Sequence, residues 1–195
     1  PSFRRNARAN YAQVLGLDQS DPRVGKVARR AFRNYGRLLV EVMRVPYLSG
    51  EDITRRVEFL NVAEIESARA GQRGVIFVSA HFGNFELAGL ALAQRYARVN
   101  LSAELLRPKQ LYDWLVATRA RLNVRMMPYK QAARYILTSL KDNEFVGMFI
   151  DLGVKYDHRM VTVTFFGRPT HFPAAPALLS VRTGAPILPG FARVR

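Results

Sequence analysis

The sequence of 195 residues contains no cysteine, three histidines and a single tryptophan. Without cysteine the chain has no disulfide and no thiol nucleophile, which fits a reducing compartment. Three histidines without the spacing of metal ligands argue against a zinc site, so we expect no metal and no cofactor. The sequence also lacks internal repeats and low-complexity tracts.

Long hydrophobic runs are absent too, and no stretch has the pattern of a signal peptide or a membrane span. The one long segment without Lys or Arg is Gly74–Gln94, and its polar centre argues against insertion into a bilayer. The sequence begins at Pro1 without a methionine and stops at Arg195 just after an apolar run. We therefore expect a single domain over residues 1–195, as a fragment without its N-terminal anchor and C-terminal end.

Acidic residues are scarce compared with basic ones. The sequence has fifteen Asp and Glu residues and thirty Lys and Arg residues, which gives a net charge of +15. A hydrophobic content of 49% excludes a disordered chain. Such a charge favours a polyanionic partner, whether nucleic acid, an anionic membrane or an acidic carrier protein. A nucleic-acid-binding domain is one function class to consider. No motif of that class appears, and the basic residues lie along predicted helices rather than among exposed aromatic residues.

The segment GVIFVSAHFGNFELAGLALAQ, residues 74–94, is the centre of the sequence pattern. Its apolar start predicts a buried strand, and its end has the spacing of one helix face. His81 lies in the turn between them, Asn84 is a favourable N-cap, and Glu86 falls in the first helical turn. Because the carboxyl ends of strands in open α/β sheets border ligand crevices, His81 is a candidate active-site residue.

A carboxylate that holds a histidine fixes the tautomer of the ring, which suits a general base near neutral pH. We therefore expect His81 to fold back towards Glu86. The alternative is a loop histidine beside a glutamate that only complements the helix dipole.

Helical and strand-like segments alternate along the chain, which predicts an α/β fold with a mainly parallel sheet flanked by helices. One helix is expected to lead into Gly16, and the others to cover 22–43, 49–56, 63–70, 85–94, 110–122, 130–141 and 174–182. The strands are expected at 57–62, 75–78, 99–106, 124–127, 145–150, 161–166 and 185–191, with a polar loop at 152–159.

The predicted helix that starts at Asp21-Pro22 is strongly amphipathic. Its apolar residues recur at steps of three and four, and its basic residues lie largely off that stripe. The ordinary interpretation is a solvated basic face on a helix that packs on the core. The alternative is a docking face for anionic lipid head groups or for an acidic carrier protein.

The string VSAHFGNFELAGLA resembles the motif of a histidine, four residues and an acid found in glycerolipid-type acyltransferases. It is most similar to the bacterial lipid A late acyltransferases (the lauroyl/myristoyl acyltransferase family) and their phosphatidylinositol mannoside acyltransferase relatives. Three further blocks carry this resemblance over most of the chain, in the same order: LLRPKQLYDWLVATRARLNVRMMP, FVGMFIDLGV and VTVTFFGRPTHFPAAPALLSVRTGAPILPGFA.

The resemblance implies a glycerolipid-acyltransferase-like fold and a membrane-associated enzyme. Such an enzyme moves a fatty acyl group from a thioester of acyl carrier protein or coenzyme A to a hydroxyl of a glycolipid, a lipid A precursor or similar. It further implies a location on the cytoplasmic face of the inner membrane, contact with its anionic lipid surface, and no nucleic acid. A non-catalytic domain that binds anionic lipid is the alternative within the family.

Carried over by residue, the resemblance implies that His81 is the general base and that Glu86 holds it. Arg107 would contact an anionic group of the donor or acceptor, and Asp151 would support the histidine or position substrate. Asn84 and Arg168 complete the expected substrate-binding residues. Arg168 would contact an anionic head group, and the alternative is that it is only a solvated arginine in a turn.

Two departures from the pattern of the glycerolipid enzymes narrow the choice of branch within the family. The motif acid is Glu86 where glycerolipid enzymes carry Asp, which favours the lipid A branch. The Phe-Pro-Glu-Gly block of the glycerol-phosphate acyltransferases is absent, with Ile150-Asp151-Leu152 in its place. This argues against a glycerol-phosphate acceptor.

Overall fold

The computed structural model describes residues 2–103, 107–128, 132–151 and 160–193. The chain forms two compact units, one of Pro1–Arg44 with Thr162–Thr170 and one of Val45–Val161 with His171–Arg195. The single domain expected over 1–195 stays a prediction. The loop predicted at 152–159, the end of the strand predicted at 99–106 and the start of the helix predicted at 130–141 lie outside the described residues.

The first unit is built on two helices, α1 (Ser2–Leu15) and α2 (Pro22–Arg44), as predicted. Asp21 precedes α2 and its carboxylate accepts the Arg23 backbone N–H at 2.8 Å, which satisfies one of the free donors at a helix start. The two helices pack together, and Val24 and Ala28 of α2 are buried.

The second unit holds a short 3₁₀ turn, Val45–Tyr47, and six helices among its described residues. The helices are α3 (Gly50–Arg56), α4 (Val62–Ala70), α5 (Phe85–Arg95), α6 (Lys109–Arg121), α7 (Ala132–Lys141) and α8 (Ala175–Thr183). Helix α3 begins with a capping box in which Ser49 and Asp52 each accept the other's backbone N–H.

A parallel sheet of five strands lies at the centre of this unit, in the order β3-β2-β4-β1-β7. Its strands are β1 (Val75–Ser79), β2 (Val99–Ala103), β3 (Val124–Pro128), β4 (Phe145–Phe149) and β7 (Ile187–Pro189). The predicted α/β class with a mainly parallel sheet and flanking helices is therefore confirmed.

The core lies on both faces of the sheet because side chains alternate along each strand. Val75 and Phe145 pack in the cluster that includes residues of α3, α4 and α5, whereas the next residues, Ile76 and Val146, pack with α7. Strands buried on both faces lack polar alternation, which explains the continuous apolar runs in the sequence.

One expected strand, at 57–62, was wrong, and one strand of the structure was not predicted. Residues 57–61 connect α3 to α4 without strand structure, because apolar Val57 and Phe59 pack irregularly against the core cluster. The strand predicted at 161–166 does form, as β5 (Met160–Phe165), but it pairs with an unpredicted strand, β6 (Arg168–Pro173), in a separate two-stranded sheet. Phe166 and Gly167 between them both have positive φ, which suits a two-residue hairpin turn.

Within the described part of the chain, no helix is both long enough and apolar enough to cross a membrane.

Candidate active site

The strand register brings His81 and Asp151 together. Strands β1 and β4 are parallel neighbours, with Ser79 opposite Phe149 in the ladder. His81 and Asp151 each follow two residues later, so they leave the same edge of the sheet side by side. The Ile150 backbone N–H continues the pairing by donating to the Ser79 carbonyl at 3.1 Å.

Asp151 binds His81 through both of its carboxylate oxygens. One oxygen, Oδ2, accepts the His81 backbone N–H at 2.8 Å, and the other, Oδ1, lies 2.9 Å from the ring atom Nδ1. A carboxylate only accepts hydrogen bonds, so the neutral imidazole carries its proton on Nδ1 and presents Nε2 as the acceptor. The pair thus provides a base nitrogen of fixed tautomer.

Two aromatic rings hold the imidazole in place. The ring of Phe149 stacks on it with centroids 4.3 Å apart, and the ring of Phe85 meets it edge to face at 4.8 Å. The side chain of His81 is still 32% exposed. The histidine is therefore oriented by its surroundings and open to a substrate.

Glu86 does not hold His81, so the expected contact between these two residues is wrong. Both of its carboxylate oxygens accept hydrogen bonds from the Arg119 guanidinium, at 2.6 Å and 2.7 Å. The side chains of Glu86 and Arg119 are only 8% and 15% exposed, and the guanidinium also reaches the sulfur of Met126. This ion pair ties α5 to α6 and to β3.

The turn around His81 depends on a close approach of two backbones. Gly83 has a φ of 61°, and a Cβ there would contact the backbone carbonyl of Ala192. Asn84 then caps α5 as predicted, since its side-chain oxygen accepts the Leu87 backbone N–H at 2.9 Å. Glycine at 83 is thus required by both conformation and space.

The remaining predicted residues, Arg107 and Arg168, are both exposed. Arg107 lies just before α6 in the chain. Helix α6 follows β2, whose carboxyl end is at the same edge of the sheet as those of β1 and β4. Arg168 is exposed on β6 and belongs to the first unit. Whether either residue binds substrate stays a prediction.

Sequence reasoning missed three side chains of this region: Arg119, Phe85 and Phe149. Nothing in the helical pattern of α6 distinguishes Arg119 from Arg121 beside it. Phe85 follows His81 by four residues and Phe149 precedes Asp151 by two, but their part in the site follows only from the adjacency of β1 and β4.

Comparison with known proteins gives consistent results. The family model described as bacterial lipid A biosynthesis acyltransferase matches residues 2–194. A phosphatidylinositol mannoside acyltransferase of Mycobacterium tuberculosis is 30% identical over 191 residues, which cover 93% of this chain and 58% of that protein. A protein of the same name from Mycolicibacterium smegmatis is 28% identical over 186 residues, covering 93% and 60%. The chain thus spans somewhat more than half the length of these relatives.

Proposed function

Because the chain belongs to the family of bacterial lipid A biosynthesis acyltransferases, we propose that it moves a fatty acyl group from an acyl thioester to a hydroxyl of a membrane glycolipid. The observation that carries this proposal is the Asp151–His81 pair at the carboxyl edge of the sheet. Acyl transfer to an alcohol needs a base for the hydroxyl, and Nε2 of His81 is the nitrogen free to accept that proton.

In the proposed reaction, Nε2 removes the proton of the acceptor hydroxyl while its oxygen attacks the thioester carbonyl. The tetrahedral intermediate collapses with cleavage of the carbon–sulfur bond, and the proton on the imidazolium passes to the leaving thiolate. Asp151 stabilises the imidazolium and keeps Nε2 directed at the acceptor. Base catalysis of this kind contributes about 10²–10⁴-fold in rate.

We propose direct transfer between the two bound substrates rather than an acyl-enzyme. The hydroxyl nearest to His81 in the sequence is that of Ser79, and this residue is buried, with its hydroxyl directed at the Ala80 carbonyl. The chain has no cysteine to serve instead. Backbone N–H groups at the Gly83 turn and the start of α5 are the proposed donors for the oxyanion.

Membership of the family supports an acyl donor and a glycolipid acceptor. The matched relatives are named phosphatidylinositol mannoside acyltransferases, which favours a phosphatidylinositol mannoside over a lipid A precursor as acceptor. The proposed donor is a thioester of acyl carrier protein or coenzyme A. The proposed reaction uses no cofactor and no metal, and the protein is proposed to bind no nucleic acid. Arg107, Asn84 and Arg168 are the proposed contacts to anionic or polar groups of these substrates. The proposed location is the cytoplasmic face of the inner membrane, in peripheral contact with anionic lipid.

The test is acyl transfer by the purified protein in detergent, with radiolabelled donor thioesters and each glycolipid acceptor. We expect label in one glycolipid and a loss of about 10²–10⁴-fold in His81→Ala. Asp142→Asn, an exposed carboxylate at the opposite end of β4, is the matched control and should keep the wild-type rate. Wild-type transfer by His81→Ala would disprove the proposed base. Absence of transfer by the folded protein with every pair would instead favour the non-catalytic lipid-binding alternative.

A further inference from the structure

The second half of α2 exposes a stripe of large apolar side chains. On the first half of the helix, which packs with α1, Val24 and Ala28 are only 0% and 4% exposed. Along the same face the stripe continues at steps of three and four residues through Phe32, Tyr35, Leu39 and Met43, which are 47–59% exposed. We call these four residues the α2 apolar stripe. A helix face of this kind is ordinarily covered, so its exposure needs a partner.

A second face of α2 is basic. At 100° per residue, six basic residues of this face centre about 130° around the helix from the α2 apolar stripe: Lys26, Arg29, Arg30, Arg33, Arg37 and Arg44. Glu41 is the single acidic residue of the whole helix. A long helix with one strongly basic face and one face of large apolar residues is typical of helices that lie in the plane of a membrane interface.

From this geometry we propose that the α2 apolar stripe docks on the surface of an anionic lipid bilayer. The helix would lie parallel to the membrane, with its stripe at the acyl boundary and its arginines among the head groups. This inference names the surface responsible for the peripheral location proposed above and rests on that part of the proposed function.

Charge complementarity favours a bilayer over other partners. The first unit carries eleven Arg and Lys against three Asp and Glu. An acidic carrier protein bound to the arginines would leave the apolar stripe in water, since the two faces point about 130° apart around the helix. An anionic bilayer satisfies both faces, because long basic side chains bend towards the head groups while the stripe enters the apolar layer.

The test is flotation of the purified protein with vesicles of phosphatidylcholine, with and without phosphatidylglycerol. We expect binding to the anionic vesicles that weakens as salt is added, because salt screens exposed charges. Leu39→Gln should lower the partition coefficient about tenfold through the loss of apolar contact. Val40→Gln is the matched control, since Val40 is 62% exposed on the basic face of the same helix, and it should bind like the wild type.

Charge is tested separately with Arg33→Gln, which should lower binding about fivefold on anionic vesicles and little on neutral ones. Equal binding by Leu39→Gln and Val40→Gln would overturn the proposal, as would self-association that Leu39→Gln abolishes while vesicle binding stays unchanged. His81→Ala should float like the wild type, and Leu39→Gln should keep transfer to detergent-dispersed acceptor. Failure of the docking surface is therefore distinguishable from failure of the proposed chemistry.

Discussion

The Nδ1 atom of His81 lies 2.9 Å from Oδ1 of Asp151, although the two residues are seventy positions apart in the chain. Their strands are adjacent and parallel, and each residue follows its strand by two positions. The carboxylate also accepts the His81 backbone N–H, so it fixes both the ring and the turn that carries it. We therefore assign to Asp151 the orienting contact that the motif spacing had suggested for Glu86.

Asp151→Asn should lower acyl transfer by roughly 100-fold or more while the protein stays folded. The asparagine amide donates to Nδ1 and shifts the ring proton to Nε2, the nitrogen that must act as base. The measurement is kcat with saturating acceptor, beside thermal unfolding of the same variant and of Asp142→Asn. A wild-type kcat would remove Asp151 from the mechanism.

Glu86→Ala should lower stability by about 3 kcal/mol, because it leaves the Arg119 guanidinium buried without its carboxylate. Glu51→Ala breaks the exposed pair with Arg55 and should cost about 0.5 kcal/mol or less. Urea unfolding measures both values. Because Asp151 still orients His81, transfer per folded molecule should fall less in Glu86→Ala than in Asp151→Asn.

A double variant tests whether the loss of stability in the Glu86 variants comes from the broken ion pair. Glu86→Leu with Arg119→Met replaces both charges with apolar groups and should recover part of the stability lost in Glu86→Leu alone. Losses that simply add would contradict the assignment of Glu86 to this ion pair.

Gly83→Ala should destabilise the protein by roughly 1–3 kcal/mol and also reduce transfer, because a side chain there is strained at positive φ and contacts the Ala192 backbone. Gly36→Ala is the matched control. Gly36 lies within α2 with no neighbouring heavy atom near the added Cβ, so this change should stabilise the helix by about 0.5–1 kcal/mol. Thermal unfolding of the two variants should therefore shift in opposite directions.

The α3 capping box gives a prediction about pH. Hydrogen bonds from the Ser49 side chain and backbone, with Arg55 nearby, lower the pKa of Asp52 from 3.8 to about 2. The carboxylate therefore stabilises the start of α3 above pH 3.8, and this contribution disappears as the pH falls through about 2. Carbon NMR of the Asp52 carboxyl measures the midpoint. Ser49→Ala should move the titration midpoint of Asp52 upward, and an unchanged midpoint would contradict the capping box as the cause of the lowered pKa.

Local sequence patterns predicted much of the fold. Apolar runs marked β1 and β4 because strands buried on both faces carry no polar alternation. Asn84, Ser49 and Asp21 marked helix starts because short polar side chains accept the first free backbone N–H groups. The pattern failed at 57–61, where apolar side chains pack on the core without strand pairing. It also failed at β6, because Pro169 and Pro173 argue against a strand, although an edge strand tolerates proline.

The sequence by itself determined the fold class, the turn that carries His81 and the amphipathic character of α2, because each follows from the order of neighbouring residues. Only the tertiary structure decided the partners of the charged groups. Insertion of β4 next to β1 brings Asp151 to His81, and packing of α6 against β3 places Arg119 beside Glu86. Hydrogen bonds are short-range, so the choice between two carboxylates depends on strand order, which chain spacing does not specify.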